Sequence, residues 1–136
     1  MKSYLSEHGI KILVILRQDS QRLFERIKYR QAEYLHYFSV KRSREHFAQI
    51  FWNRYQSLQV QDLKELSEEI IGGFDTFYHQ VDELKWYLSV TEDMPAKVED
   101  IVIQSIQQIE EAYQLLQFYI GVDLGTIENS GENINE

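Results

Sequence analysis

The most recognisable chemical spacing in this chain is a Glu-x-x-His pair formed by Glu33 and His36. On a helix, this spacing places a carboxylate and an imidazole on one face, as in ferritin-like bundles that hold two metal ions. A complete site of that kind also needs a second Glu-x-x-His pair, and no other histidine has a glutamate three residues before it. A metal-binding bundle centred on Glu33 and His36 is therefore an alternative function, and we predict no cofactor.

A second pattern with possible chemistry is the four-residue spacing of Arg22, Arg26 and Arg30. On a helix these side chains form a cationic stripe, and neighbouring tyrosines supply the rings that nucleic-acid surfaces use for base stacking. The whole chain is nevertheless acidic, with a net charge of −8, whereas domains that bind nucleic acid are usually basic. Nucleic-acid binding through this stripe is thus a further alternative, and a nucleic-acid partner is disfavoured.

No motif in the sequence indicates catalysis. The chain has no cysteine, which excludes disulfides, thiolate metal sites and cysteine nucleophiles. Serine, histidine and acidic residues do not combine on a turn suited to a nucleophile, and no glycine-rich phosphate loop follows a strand pattern. We predict no catalytic residues, and the sequence favours a non-enzyme while leaving acid–base work by glutamates on a bundle open.

Charge is divided unevenly along the chain. Residues 1–54 contain eleven basic and five acidic residues, a net charge of +6, whereas residues 55–136 contain three basic and seventeen acidic residues, a net charge of −14. The two halves could neutralise each other where they pack, or one of them could recruit a charged partner. The sequence leaves both interpretations open.

The element that organises these residues is a predicted central helix from Asp62 to Ser89. Its apolar residues recur with the period of an α-helix that has one buried stripe. They are Leu63, Leu66, Ile70, Phe74, Phe77, Val81, Leu84 and Leu88. Asp62 and Glu65 have the spacing of an N-terminal cap. The Gly72-Gly73 pair in its middle predicts a bend or a close approach by another element.

Three further helices are predicted around the central one. The first extends to about Phe38, and a turn at Ser39–Ser43 separates it from a second helix over Phe47–Leu58, although one uninterrupted helix is an alternative. Pro95 fits the first turn of a last helix, which we expect to end near Ile120 because Gly121 follows. Its predicted buried stripe is Val98, Val102, Ile106, Ile109, Tyr113, Leu116 and Ile120. The pattern predicts an all-α, antiparallel up-down-up-down four-helix bundle as a single domain over residues 1–124, with a disordered tail at 125–136.

The segment Ile10–Leu16 is apolar on nearly all sides of a helix, so its outer side is predicted to meet another helix or another chain. Its continuous apolar part is far too short to span a bilayer, and we predict no membrane insertion and a cytoplasmic location. Aromatic residues make up 13% of the chain, more than the core positions of such a bundle require.

Surplus tyrosine and tryptophan beside a buried stripe is typical of a partner interface. We therefore predict a non-catalytic protein–protein interaction module, an adaptor, chaperone or regulatory protein, that binds a protein partner or forms a homo-oligomer. The predicted interface residues are Ile10, Ile12, Val14, Trp52, Trp86, Tyr87, Phe118 and Tyr119.

Overall fold

A computed structural model describes residues 5–125, which form six α-helices, one short 3-10 turn and no β-strand. The helices are α1 (Glu7–Tyr29), α2 (Gln31–Lys41), α3 (Phe47–Ile50), α4 (Val60–Leu63), α5 (Glu68–Val90) and α6 (Pro95–Asp123), and the 3-10 turn is Tyr55–Ser57. The predicted all-α class is confirmed, but an up-down-up-down four-helix bundle is not. The predicted disordered tail lies outside the described residues from 126 onward, and the single domain stays a prediction.

Helices α5 and α6 form an antiparallel hairpin with two buried apolar stripes. Every predicted stripe residue from Leu66 to Leu88 is buried, as are those of α6 except Tyr113, which is partly buried. Pro95 occupies the first turn of α6 as predicted, but this helix continues past Gly121. Periodicity thus located both buried faces correctly, while the end of α6 was predicted too early.

The predicted start of the central helix at Asp62 is wrong. Helix α5 begins at Glu68, where the hydroxyl of Ser67 accepts a hydrogen bond from the amide of Ile70 and donates one to Asp123. Asp62 instead belongs to the separate short helix α4. Ser67, and not Asp62, caps α5, and its hydroxyl also joins the start of α5 to the end of α6.

Helix α5 continues without interruption through the Gly72-Gly73 pair. A β-carbon placed on Gly73 would lie 3.1 Å from the Cδ1 atom of Leu116, whereas one on Gly72 would have no neighbour within 4 Å. Of the two features predicted there, the close approach is present at Gly73, where α6 crosses.

The first predicted helix is divided into α1 and α2 by a single non-helical residue, Arg30. The buried hydroxyl of Tyr34 donates a 2.7 Å hydrogen bond to the carbonyl of Ile27, just before this break. Helix α1 is antiparallel to α6. Phe24 of α1 stacks on Tyr113 of α6, and Lys28, which lies later in α1, pairs with Glu110, which lies earlier in α6. One apolar stripe therefore passes from α1 into α2 along the hairpin.

The predicted helix over Phe47–Leu58 is wrong, and so is the alternative of one helix from residue 10 to residue 58. Residues 42–67, here called the returning segment, contain only α3, the 3-10 turn and α4, joined by irregular backbone. The guanidinium of Arg44 donates to the carbonyls of Ser89 and Thr91 at one end, and His8 pairs with Asp62 at the other. Helix α3 contacts both α1 and α5, so the segment runs back between them.

Candidate functional site

A buried carboxylate joins the returning segment to the two long helices beside it. Asp19 of α1 is only 6% exposed, and its Oδ2 atom accepts a 2.6 Å hydrogen bond from the hydroxyl of Tyr78 on α5. Its Oδ1 atom accepts from the backbone amide of Arg54 at 3.0 Å. Burial, followed by the bond to Asp19, raises the pKa of Tyr78 far above its ordinary value. Tyr78 therefore stays a neutral donor, and the returning segment is fixed at this point.

A basic cleft opens on the α1 side of this joint. It has a volume of about 230 Å³ and is lined by Ile15, Asp19, Arg22, Arg26, Trp52 and Arg54. The indole of Trp52 is 56% exposed, and the guanidinium of Arg54 lies 5.8 Å from its ring centre. Three guanidinium groups and one carboxylate give this cleft a positive balance, with an accessible aromatic ring at its rim.

An acidic cleft opens on the α5 side of the same joint. It has a volume of about 240 Å³, and its lining includes Tyr55, Asp75, Tyr78, His79, Asp82 and Lys85. Tyr55 and Tyr78 stack with ring centres 4.2 Å apart and planes at 8°. Burial, with a smaller contribution from Asp75, raises the pKa of Tyr55, so this tyrosine also stays neutral. Trp52 lines the basic cleft, and its chain neighbours Phe51 and Asn53 line the acidic one. We call the surface made by the two clefts the Trp52 face.

Four charged side chains of the Trp52 face have no ion-pair partner among the described residues. In residues 5–125, no carboxylate oxygen lies within 4.0 Å of a guanidinium nitrogen of Arg22 or Arg54, and no basic nitrogen lies that close to Asp75 or Asp82. One intramolecular pair borders the acidic cleft, His79 with Glu83 at 3.7 Å, and others, such as Lys28 with Glu110, lie elsewhere. Opposite charges therefore face solvent in the two clefts of the Trp52 face.

The predicted stripe of Arg22, Arg26 and Arg30 is divided by the fold into different roles. Arg26 donates from Nε to the carbonyl of Ile50 at 3.1 Å and from its terminal nitrogen to the carbonyl of Trp52, so it satisfies backbone acceptors after α3. Burial lowers the pKa of Arg26, although an arginine remains charged at any physiological pH. Arg22 and Arg30 are exposed. Only the outer members of the stripe are free to contact a partner.

The predicted interface residues are spread over four parts of the molecule. Ile10 and Val14 of α1, Trp52 of the returning segment, Trp86 of α5 and Phe118 of α6 are exposed, whereas Tyr87 and Tyr119 are half-buried. The prediction of Ile12 as an interface residue is wrong, because its side chain is 7% exposed and belongs to the core. The apolar segment 10–16 divides between core and surface as an ordinary amphipathic helix does.

Glu33 and His36 of the predicted metal site are both exposed on α2. His36 lines a shallow cleft with Glu99, near the start of α6. Among residues 5–125, no group of three or more histidine, aspartate or glutamate side chains has the arrangement needed to hold a metal ion. The structure therefore adds no third ligand to this pair.

Comparisons with known proteins give no further guide to this site. No protein-family model matches the chain, and no curated protein or solved structure is significantly similar to it. Within the part of the chain that the structure describes, no helix is both long enough and apolar enough to cross a membrane.

Sequence reasoning missed the three residues that build the joint, Asp19, Tyr78 and Arg54. One signal for Asp19 was present, since it falls between Leu16 and Leu23 on the apolar stripe of α1, where a carboxylate must find hydrogen-bond donors. Its donors lie 35 and 59 residues further along the chain. No local pattern could have identified them.

Proposed function

We propose that this protein is a non-catalytic protein–protein interaction module, an adaptor, chaperone or regulatory protein, that self-associates through the Trp52 face. The observation that carries this proposal is an exposed tryptophan that lines one of two neighbouring clefts of opposite charge. Tryptophan contributes large binding energies because it desolvates well and keeps a polar N–H group. Its two neighbouring clefts supply polar groups for a rim around that anchor.

The anchoring of the returning segment also supports this role. Trp52 lies between two points at which the backbone is held, namely the arginine contacts at Ile50 and Trp52 and the amide of Arg54 on Asp19. A backbone segment that is held in place before binding loses less conformational freedom when the partner docks. The Trp52 face therefore has a preorganised centre.

Nucleic-acid binding is the second candidate, and the specific observation in its favour is the exposed Trp52 ring beside Arg22 and Arg54. An aromatic ring with nearby guanidinium groups could stack a base and contact its phosphate. The carboxylate of Asp19 in the same cleft, and those of Asp75 and Asp82 in the neighbouring one, oppose a polyanion. A protein partner is the better match to this mixed charge.

The experiment is light scattering and sedimentation of the purified chain over a wide concentration range. We expect a reversible increase in mass with concentration that is weakened in Trp52→Ala. Trp86→Ala is the matched control, because Trp86 is 64% exposed but does not line either cleft. A strict monomer at every concentration would contradict self-association, and equal weakening by both variants would contradict the choice of the Trp52 face.

A further inference from the structure

We propose that the second copy docks on the Trp52 face about a two-fold axis near Trp52, so that the basic cleft of each copy meets the acidic cleft of the other. This inference rests on the proposed function and adds the geometry and the chemistry of recognition. In a symmetric dimer, the same surface is used by both copies and must be complementary to itself. The Trp52 face has this property because its two sides carry opposite charge.

The positions of the clefts on the two long helices fit a two-fold arrangement. Helices α1 and α5 are parallel, since Gly9 lies against Glu65 near their starts and Asp19 bonds Tyr78 further along both. Arg22 lies about one turn after Asp19, and Asp82 lies about one turn after Tyr78. The two charged groups are therefore at similar heights on either side of the returning segment.

A half-turn about an axis that lies in the plane of this face, parallel to α1 and α5, exchanges its two sides and turns the second copy to face the first. It places α1 of the second copy over α5 of the first, with Arg22 and Arg54 opposite Asp75 and Asp82. The same rotation creates the identical contact on the other side, so each dimer gains two sets of opposite charges. Both indoles of Trp52 come close to the axis, where the centre of the interface is best shielded from water.

A second copy matches this surface better than an extended polyanion or polycation. A phosphate-rich ligand in the basic cleft would also meet the carboxylate of Asp19 and the nearby carboxylates of Asp75 and Asp82. A strongly basic partner in the acidic cleft would meet Lys85 there and the arginines beyond Trp52. Only a partner with the opposite order of charges satisfies both sides at once, and the same face rotated by a half-turn is such a partner.

The test uses two full-length variants that each make the face uniform in charge. Arg22→Glu with Arg54→Glu makes both sides acidic, and Asp75→Arg with Asp82→Arg makes both sides basic. Since like charges then oppose each other, we expect each variant alone to dimerise at least about tenfold more weakly than the original chain. An equimolar mixture should recover association as a heterodimer, because every contact again joins opposite charges.

The control variants are Arg17→Glu on α1 and Asp100→Arg on α6, which change exposed charges away from both clefts. They should leave the dimer dissociation constant within about twofold of the original. Circular dichroism and thermal melting confirm folding, and all six substituted side chains are exposed. Association of the original chain should also weaken as salt rises.

The outcomes separate this proposal from the proposed function. Weakening by Trp52→Ala without any effect of charge reversal, or no recovery in the mixture, would overturn the charge-paired arrangement but leave the interaction module. A monomeric chain that binds single-stranded nucleic acid in a manner dependent on Arg22 and Trp52 would overturn both. Recovery only in the mixture is the result that supports the two-fold model.

Discussion

The α5–α6 hairpin and the returning segment lie side by side but are held by different interactions. In the hairpin, backbone hydrogen bonds close within each helix, and packing of two apolar stripes joins the helices. In the returning segment, many backbone groups lack helical partners and bond to side chains from elsewhere, such as Arg26, Arg44 and Asp19. Regular structure needs only a periodic sequence, whereas irregular structure needs particular distant side chains.

This difference also separates stability from function in the molecule. The hairpin supplies two long buried stripes and α1 with α2 supplies a third, while the returning segment presents Trp52 and borders both charged clefts. Binding residues are often found on irregular segments that a rigid scaffold positions. Substitutions in the hairpin core should therefore affect global unfolding. Substitutions of Arg26, Arg44 or Asp19, which hold the returning segment, should affect that segment first.

The largest effect is expected for Phe74→Ala in the hairpin. Phe74 of α5 is fully buried, and truncating such a ring leaves a cavity that costs about 3–5 kcal/mol of the free energy of unfolding. This loss is measured by denaturant unfolding, with circular dichroism as the probe of folded structure. Phe118→Ala is the matched control, since Phe118 is 49% exposed and should cost less than about 1 kcal/mol. Equal losses would contradict the assignment of the core.

Asp19→Ala should have the next largest effect and should act on the other region. It leaves the Tyr78 hydroxyl and the Arg54 amide without their acceptor, which we expect to cost about 2–3 kcal/mol. Hydrogen exchange should accelerate around residues 51–57 while the amides of α6 remain protected. Uniform acceleration over both regions would show that the joint is part of the global core instead.

The pH dependence of stability sharpens the role of Tyr78. Burial and Asp19 raise the pKa of Tyr78 in the folded chain above the unfolded value of about 10. The contribution of the neutral hydroxyl to the free energy of unfolding is therefore complete below about pH 10. It is lost as pH rises above that value, because the unfolded chain then releases the proton more readily. Tyr78→Phe should flatten this alkaline decline by up to about 1.4 kcal/mol per pH unit. The comparison is made by denaturant unfolding between pH 9 and about pH 11. An unchanged slope would contradict a buried hydroxyl.

Arg26→Ala and Arg22→Ala test the division of the arginine stripe. Arg26 donates to two carbonyls of the returning segment and is half-buried, so its loss should cost about 1 kcal/mol. Arg22 is exposed and should change stability by less than about 0.5 kcal/mol while weakening self-association. Thermal melting of both variants measures the change in stability, and sedimentation measures the change in self-association. Similar stability losses would remove the distinction between anchor and contact residue.

The smallest effects are expected at the glycine pair inside α5. Gly72→Ala meets no atom within 4 Å and should raise stability by about 0.5–1 kcal/mol, because alanine favours helix. Gly73→Ala should gain less, since its β-carbon would press on Leu116 at 3.1 Å. Matched thermal melts distinguish the two. A larger gain for Gly73→Ala would mean that α6 can move away from α5 without cost.

Much of the hairpin could be predicted from the sequence, and little of the face could. The stripe from Leu66 to Leu88 and the position of Pro95 depend on neighbours three or four residues away. The prediction for Phe47–Leu58 failed because apolar spacing there fits a helix, although Phe47, Ile50 and Phe51 are buried by a much shorter turn. Local spacing does not show whether the backbone between apolar residues stays helical when tertiary contacts compete.

The sequence by itself determined an all-helical chain, the buried faces of α5 and α6 and the opposite charges of its two halves. These properties follow from local spacing and composition. Only the tertiary structure decided that Arg26 anchors backbone while Arg22 faces solvent, and that Asp19 is buried against Tyr78. The physical reason is that a polar group's role depends on which donors and acceptors surround it in space, and here these come from residues 24 to 59 positions away.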